Sequence, residues 1–106
     1  METPENKFIY NLTFNLETSI ENEWKKWFEE DFLTILSRES KLVKRNTYKV
    51  LADHSPGTVT FSTQLEATSI MEIQLFKLNA EQHLLQELHK KFGEKCLLFP
   101  TILEKV

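Results

Sequence analysis

The feature that most constrains the fold is an alternating run over residues 7–16. Large apolar side chains occupy every second position, and the positions between them are mostly polar; the apolar set is Phe8, Tyr10, Leu12, Phe14 and Leu16. Successive side chains of a β-strand point to opposite faces of its sheet, so this period predicts a strand with one apolar and one polar face. The number of large apolar residues on one side places this strand in the middle of a sheet.

Two later stretches have the helical period. The first has the capping-box spacing at Thr18 and Glu21 and carries one broad apolar arc, formed by Ile20, Trp24, Trp27, Phe28, Phe32, Ile35 and Leu36. The second is capped by residues 67–69, and its apolar stripe changes phase near residues 78–80. We therefore predict a kink or break there, with Asn79 capping a new helix.

Three more stretches are predicted to be strands. Residues 42–52 are rich in lysine and arginine, which is typical of an edge strand. A turn over residues 53–57 leads into a cleanly alternating strand over residues 58–66. The last strand, over residues 95–103, contains Pro100, which cannot donate a ladder hydrogen bond and so also indicates an edge.

The predicted order is strand, helix, strand, strand, helix, strand. This βαββαβ order is that of the ferredoxin-like α+β folds, in which a four-stranded antiparallel sheet carries both helices on one face. Right-handed crossovers put the first and third strands in the centre and the second and fourth at the edges. The 106 residues form a single ferredoxin-like domain over residues 1–106, with an ordered core over about residues 7–103.

Several motifs along the chain are shared with one known family. They are Ile20-x-x-x-Trp24-x-x-Trp27-Phe28, Phe61-Ser62-Thr63-Gln64-Leu65 and Phe92-Gly93-Glu94-Lys95. Together they resemble the uncharacterised bacterial domain-of-unknown-function family numbered four-two-eight-six. The resemblance covers nearly the whole chain, and it implies a ferredoxin-like fold and a cytosolic bacterial origin but no activity.

Composition and charge narrow the classes of function. The net charge of −3 argues against a nucleic-acid partner, because phosphate binding requires a basic face. The sequence opens without the pattern of a signal peptide, and no apolar run reaches the roughly 20 residues that span a bilayer. We therefore expect a cytoplasmic protein without a membrane partner. We also expect no metal and no cofactor, since His83 and Glu87 share a helix face but two ligands rarely hold an ion.

The polar face of the predicted sheet contains the candidate ligand-binding residues. Its two central strands carry uncharged hydrogen-bonding groups, namely Asn11, Thr13, Asn15, Thr60, Ser62 and Gln64. Such a face suits pairing with a second copy, as in dimeric α+β barrels, with a semi-polar cavity for a small-molecule ligand between the two sheets. One phase of the last strand would add an apolar rim, formed by Ile9, Leu97, Phe99 and Leu103. The alternative is a face exposed to solvent.

Asp31 is a further candidate site residue. It follows Trp27 by four residues and Trp24 by seven, so a regular helix places it on the apolar arc. A buried carboxyl group there would be a candidate acid or base, whereas one at the border of the arc would be solvated.

Three classes of function remain open from the sequence. We favour a homodimeric binding or structural module. The alternatives are a cofactor-free enzyme of the dimeric α+β barrel type and a regulatory ligand sensor that acts through a protein partner. A catalytic base in the cavity would indicate the enzyme, and an exposed apolar patch around Leu75 and Phe76 would indicate the protein partner.

Overall fold

The sheet contains four antiparallel strands in the predicted order. The computed structural model describes residues 7–42, 44–51 and 56–106. Its strands are β1 (Phe8–Glu17), β2 (Arg45–Lys49), β3 (Thr58–Ala67) and β4 (Cys96–Glu104). They are arranged β2-β3-β1-β4, so the two cleanly alternating strands are central and the lysine-rich and proline-bearing strands are the edges. This connectivity is ferredoxin-like, which confirms the predicted fold.

Strand β2 is shorter than the strand predicted over residues 42–52. Leu42 is buried ahead of it, and the pairing ends soon after Lys49, with one more bond from the Val50 N–H to the Thr60 carbonyl at 2.9 Å. The turn predicted over residues 53–57 lies mostly outside the described residues. Its last residue, Gly57, is described and has φ of 79°, a conformation that favours glycine.

Two helical runs cover one face of the sheet. Each consists of two α-helices joined by a π-helical segment, in which the backbone hydrogen bond spans five residues instead of four. The first run contains α1 (Glu21–Trp27), the π-helical segment Phe28–Phe32 and α2 (Leu33–Glu39); the second contains α3 (Ile70–Phe76), the π-helical segment Lys77–Glu81 and α4 (Gln82–Phe92). None of the helices in the described ranges has the length and apolar character needed to cross a bilayer.

One of the predicted helix caps is present and two are not. The Ser69 Oγ accepts the Glu72 N–H at 3.3 Å and caps α3. Thr18 lies inside a short 3-10 turn and makes no cap bond. The break predicted near residues 78–80 is also wrong, because the backbone stays helical there and the exposed Asn79 lies inside the π-helical segment. The extra residue of a π turn produces the same phase change in the apolar stripe without ending the helix.

The core between the sheet and the helical runs is rich in aromatic rings. Phe14 on β1 contacts Trp24, Phe28 and Phe32, with ring centroids 5.1–6.2 Å apart. Trp24 also stacks on Phe61 of β3 at 4.7 Å, with an angle of 14° between the ring planes. The predicted apolar faces of the first strand and first helix are therefore the faces that pack together.

We expect Trp24→Ala to destabilise the protein by about 3–5 kcal/mol, because it removes a buried ring that packs on three others. Trp24→Phe should cost less, since the Trp24 Nε1 has no hydrogen-bond partner among the described residues. Chemical denaturation measures both changes, with the exposed Lys26→Ala as the control. An unchanged stability of Trp24→Ala would contradict this packing.

The two predicted cap residues of the second helical run should respond in opposite ways to alanine. Ser69→Ala removes a cap hydrogen bond and should cost about 1 kcal/mol. Asn79→Ala replaces an exposed residue inside a helical segment with a better helix former, so stability should stay equal or rise by up to roughly 0.7 kcal/mol. Thermal unfolding of both variants tests this, and a clear loss at Asn79 would restore it as a cap.

Candidate binding face of the sheet

The face of the sheet opposite the helical runs is not covered by either helical run. We call it the open face. The strand register assigns residues to it because directly opposed residues of antiparallel strands share a side. It consists of Ile9, Asn11, Thr13, Asn15, Glu17, Asn46, Tyr48, Thr58, Thr60, Ser62, Gln64, Glu66, Leu97, Phe99, Thr101 and Leu103.

The six predicted sheet residues lie together in the centre of the open face. We call them the polar stripe: Asn11, Thr13, Asn15, Thr60, Ser62 and Gln64. Ser62 Oγ donates to Asn11 Oδ1 at 2.5 Å, and Asn11 Nδ2 donates to Thr13 Oγ1 at 3.1 Å. Asn15 Nδ2 donates to Thr60 Oγ1 at 3.0 Å. The first and third of these bonds link β1 to β3, and all three hold the amide groups in fixed orientations.

Larger apolar side chains flank the polar stripe. On β4, Leu97, Phe99 and Leu103 are 47%, 54% and 38% exposed, and each lies opposite an open-face residue of β1. This is the phase of the last strand that forms the predicted apolar rim. On the other edge Tyr48 is 52% exposed and lies opposite Ser62. The sequence reasoning did not place Tyr48 here, although its alternation with Thr47 and Lys49 carried the signal.

Asp31 does not belong to this face, and of the two positions that the sequence left open for it, buried on the apolar arc or solvated at its border, the structure shows a solvated one. It is exposed on the first helical run, on the other side of the sheet. The π-helical segment Phe28–Phe32 explains the difference, because its wider turn places Phe32, five residues after Trp27, against the Trp27 ring at 6.0 Å, where a regular helix would place Asp31. Asp31 is thereby rotated out of the apolar arc and into solvent.

A buried polar contact that the sequence reasoning missed joins the sheet to the second helical run. The Tyr10 hydroxyl, fully buried on β1, donates to Glu81 Oε1, and Glu81 is itself 9% exposed. Burial raises the pKa of the Tyr10 phenol, and the hydrogen bond to Glu81 raises it further, so the phenol stays a donor at neutral pH. Glu81 precedes Leu84 by three residues and Leu88 by seven, and this spacing was the available signal.

The two other side chains with potentially reactive groups, Cys96 and His83, do not form a reactive centre. Burial raises the pKa of the Cys96 thiol to about 12, so it stays protonated at neutral pH. His83 Nδ1 contacts Glu39 Oε2 at 2.5 Å, whereas its Nε2 lies 3.7 Å from Glu87 Oε1. The two carboxylates therefore occupy opposite nitrogens of one ring, and among the described residues no cluster of three or more ligands could hold a metal ion.

We expect Tyr10→Phe to destabilise the protein by about 1–3 kcal/mol, because it leaves the Glu81 carboxylate buried without its donor. Glu81→Gln should cost less, since the amide oxygen still accepts the phenol proton. Urea unfolding compares both with Tyr48→Phe, in which the same atom is removed from an exposed side chain. Equal stabilities of Tyr10→Phe and Tyr48→Phe would show that the buried bond contributes nothing.

Comparisons with known proteins give a family and one similar structure. The model of the family described as "Domain of unknown function (DUF4286)" matches residues 7–106. A solved structure described as a dimeric ferredoxin-like protein from an uncultured marine organism is 14% identical, with a TM-score of 0.47, and the match covers 96% of this chain and 97% of that one. No functionally curated protein matches the sequence.

Proposed function

Since the chain belongs to the DUF4286 family, a domain of unknown function, membership assigns it no activity, and we propose that it is a homodimeric binding module paired through the open face of its sheet. The observation that carries this proposal is the composition of that face. A neutral, internally hydrogen-bonded stripe fills its centre, and exposed apolar side chains flank the stripe on both edge strands.

The charged groups of the open face lie at its ends, which supports pairing. Glu66 near one end forms an ion pair with Lys44 at 3.4 Å, and Glu17 lies at the other end of β1. Pairing the centres of two such faces buries amide and hydroxyl groups but no ion, and so avoids the large cost of desolvating charge. A neutral centre with a charged rim is the usual composition of a specific protein interface.

The size of the open face is also sufficient for a dimer. Strands of these lengths offer about 550 Å² of flat sheet per copy, taking a rise of roughly 3.4 Å per residue and a strand spacing of roughly 4.8 Å. Projecting side chains make the accessible area larger than this flat area. Two paired faces therefore reach the roughly 1,200 Å² that a specific interface buries.

The distribution of side-chain size favours a cavity in the middle of the interface. Long side chains stand at the edges, including Phe99 and Tyr48, whereas the central stripe consists of short ones such as Thr13 and Ser62. When two such faces meet, the long side chains set the spacing of the sheets and the short ones leave room between them. The stripe would then line a semi-polar cavity, and the ligand class that it fits is a small uncharged molecule with hydrogen-bonding groups.

The proposed dimer is tested by placing a negative charge on one face of β4 or on the other. Phe99→Glu puts a carboxylate in the open face. In size-exclusion chromatography with light scattering, we expect this variant to elute as a monomer and the unmodified protein as a dimer. Ile102→Glu is the matched control, because Ile102 is 43% exposed on β4 but lies opposite the inward-facing Tyr10. A monomeric unmodified protein, or a Phe99→Glu variant that remains dimeric, would refute this interface.

A further inference from the structure

The apolar patch that the sequence suggested around Leu75 and Phe76 does not select a partner. Leu75 is exposed, whereas Phe76 is buried. Two cations and two carboxylates lie beside them, namely Arg38, Lys41, Glu39 and Glu72. Because these charges balance, this surface favours neither an acidic nor a basic partner. A pocket with an unequal balance of charge lies elsewhere, beside the edge strand β2.

The helical runs leave the inward side of β2 uncovered. The strand register places Arg45, Thr47 and Lys49 on the side of the sheet that carries the helical runs, yet all five residues of β2 are exposed. The space between β2 and the first helical run is a pocket of about 370 Å³, which we call the edge pocket. This volume is within the roughly 300–1,000 Å³ that is typical of sites for small molecules.

The floor of the edge pocket is aromatic. It is formed by Trp24, Phe28 and Phe61, which are all buried. The Trp24 ring stacks on Phe61 at 4.7 Å and on Phe28 at 5.1 Å between ring centroids. Because ring faces that stack on one another are not accessible, the rings offer the pocket mainly their edges. Ring edges carry partial positive charge and attract the face of another aromatic ring.

The charged side chains around the edge pocket are mostly cationic. It is lined by Lys25, Arg45 and Lys49 but by only one carboxylate, that of Glu29. A second carboxylate, Glu21, lies outside the lining and is shared by the two lysines, with Oε2 at 3.1 Å from Lys25 Nζ and 3.7 Å from Lys49 Nζ. Arg45 forms no ion pair with any residue in the described ranges. The group therefore keeps an excess of positive charge, and its exposed ion pairs are weak enough for a bound anion to compete with them.

Trp24 also brings an unsatisfied hydrogen-bond donor to the edge pocket. Its side chain is 2% exposed, and its Nε1 has no hydrogen-bond partner in the part of the chain that the structure describes. A buried N–H without an acceptor is unfavourable, and nearly all such groups in native proteins have a partner. Trp24 lines this pocket, so a ligand bound here can bring an acceptor to the residue that lacks one.

We propose that the edge pocket binds a small aromatic carboxylate. The flat ring of the ligand would contact the aromatic floor, and its carboxylate would bind the Arg45 guanidinium with two parallel hydrogen bonds, beside Lys25 and Lys49. A neutral or basic aromatic molecule fits the same floor but gains nothing from these cations. The charge of the pocket therefore selects the class of ligand.

The edge pocket is separate from the interface proposed for the dimer. Among its lining residues only Tyr48 belongs to the open face. The aromatic floor and the three cations lie on the helical side of the sheet or point towards it. The binding of a carboxylate here does not depend on the proposed pairing of two open faces.

The first test is a titration of cinnamate, a flat aromatic carboxylate, followed by two-dimensional NMR of isotope-labelled protein. The indole N–H of Trp24 is the probe, and that of Trp27, which does not line the edge pocket, is the internal control. The spectrum of Trp24→Phe assigns the two signals. We expect the Trp24 signal and the β2 amide signals to shift and saturate while the Trp27 signal stays in place. No shift up to about 5 mM cinnamate, or shifts centred on the open face, would contradict the proposal.

The second test varies the charge of the ligand. Cinnamyl alcohol and cinnamylamine have the same flat body as cinnamate but are neutral and cationic. We expect cinnamate to bind at least about tenfold more tightly than either, because only the carboxylate forms charge-assisted hydrogen bonds with the cations. Equal affinities for the three compounds would show that the cations do not select the ligand and would rule the proposal out.

The third test varies the charge of the pocket. Arg45→Glu should weaken the binding of cinnamate at least about tenfold and strengthen that of cinnamylamine. Lys26→Glu is the matched control, because Lys26 is exposed on α1 but does not line the edge pocket. Equal losses in the two variants would refute a site at Arg45. The affinity for cinnamate should be unchanged in Phe99→Glu, so failure of the dimer and failure of the pocket are distinguishable.

Discussion

The packing of Trp24 between the sheet and its own helix is the contact on which the rest of the structure depends. Its ring stacks on Phe61 of β3 and on Phe28, and it contacts Phe14 of β1, so one side chain joins both central strands to the first helical run. Side chains alternate along a strand, so when Phe14 points into the core, its neighbours Thr13 and Asn15 point to the open face. The composition of the open face is thus a direct consequence of how the core is filled.

The sequence was sufficient to predict the sheet and most of the candidate face. Strict alternation in the two central strands determines which residues are buried, and the charge and proline content of the other two identify them as edges. The polar stripe followed from the same alternation. It was harder to predict that Tyr48 lies on the open face. Strand β2 is short and its five residues are all exposed, so no buried side marks which of its two faces is which.

The assumption of a regular helix is the physical cause of the misplacement of Asp31 and Asn79. A repeat of 3.6 residues was applied to two runs that each contain a π-helical segment, and the residues misjudged, Asp31 and Asn79, lie inside those segments. In the second run the apolar stripe changes phase near residues 78–80, and a break in the helix and a wider turn both produce such a change. The choice between them depends on tertiary packing. Glu81, at the end of the second segment, packs inward on Tyr10.

The position of β4 in the sheet also has a consequence for how the chain folds as it is synthesised. Strand β4 pairs with β1 along the whole length of β4, from Glu104 opposite Phe8 to Cys96 opposite Leu16. During synthesis β1 leaves the ribosome before β4. The hydrogen bonds on this edge of β1 therefore cannot form until β4 has emerged. Until then its unpaired backbone groups and the apolar side chains of β1 are a template for wrong pairing. Emergence of β4 from the ribosome is therefore required before this edge of the sheet can close.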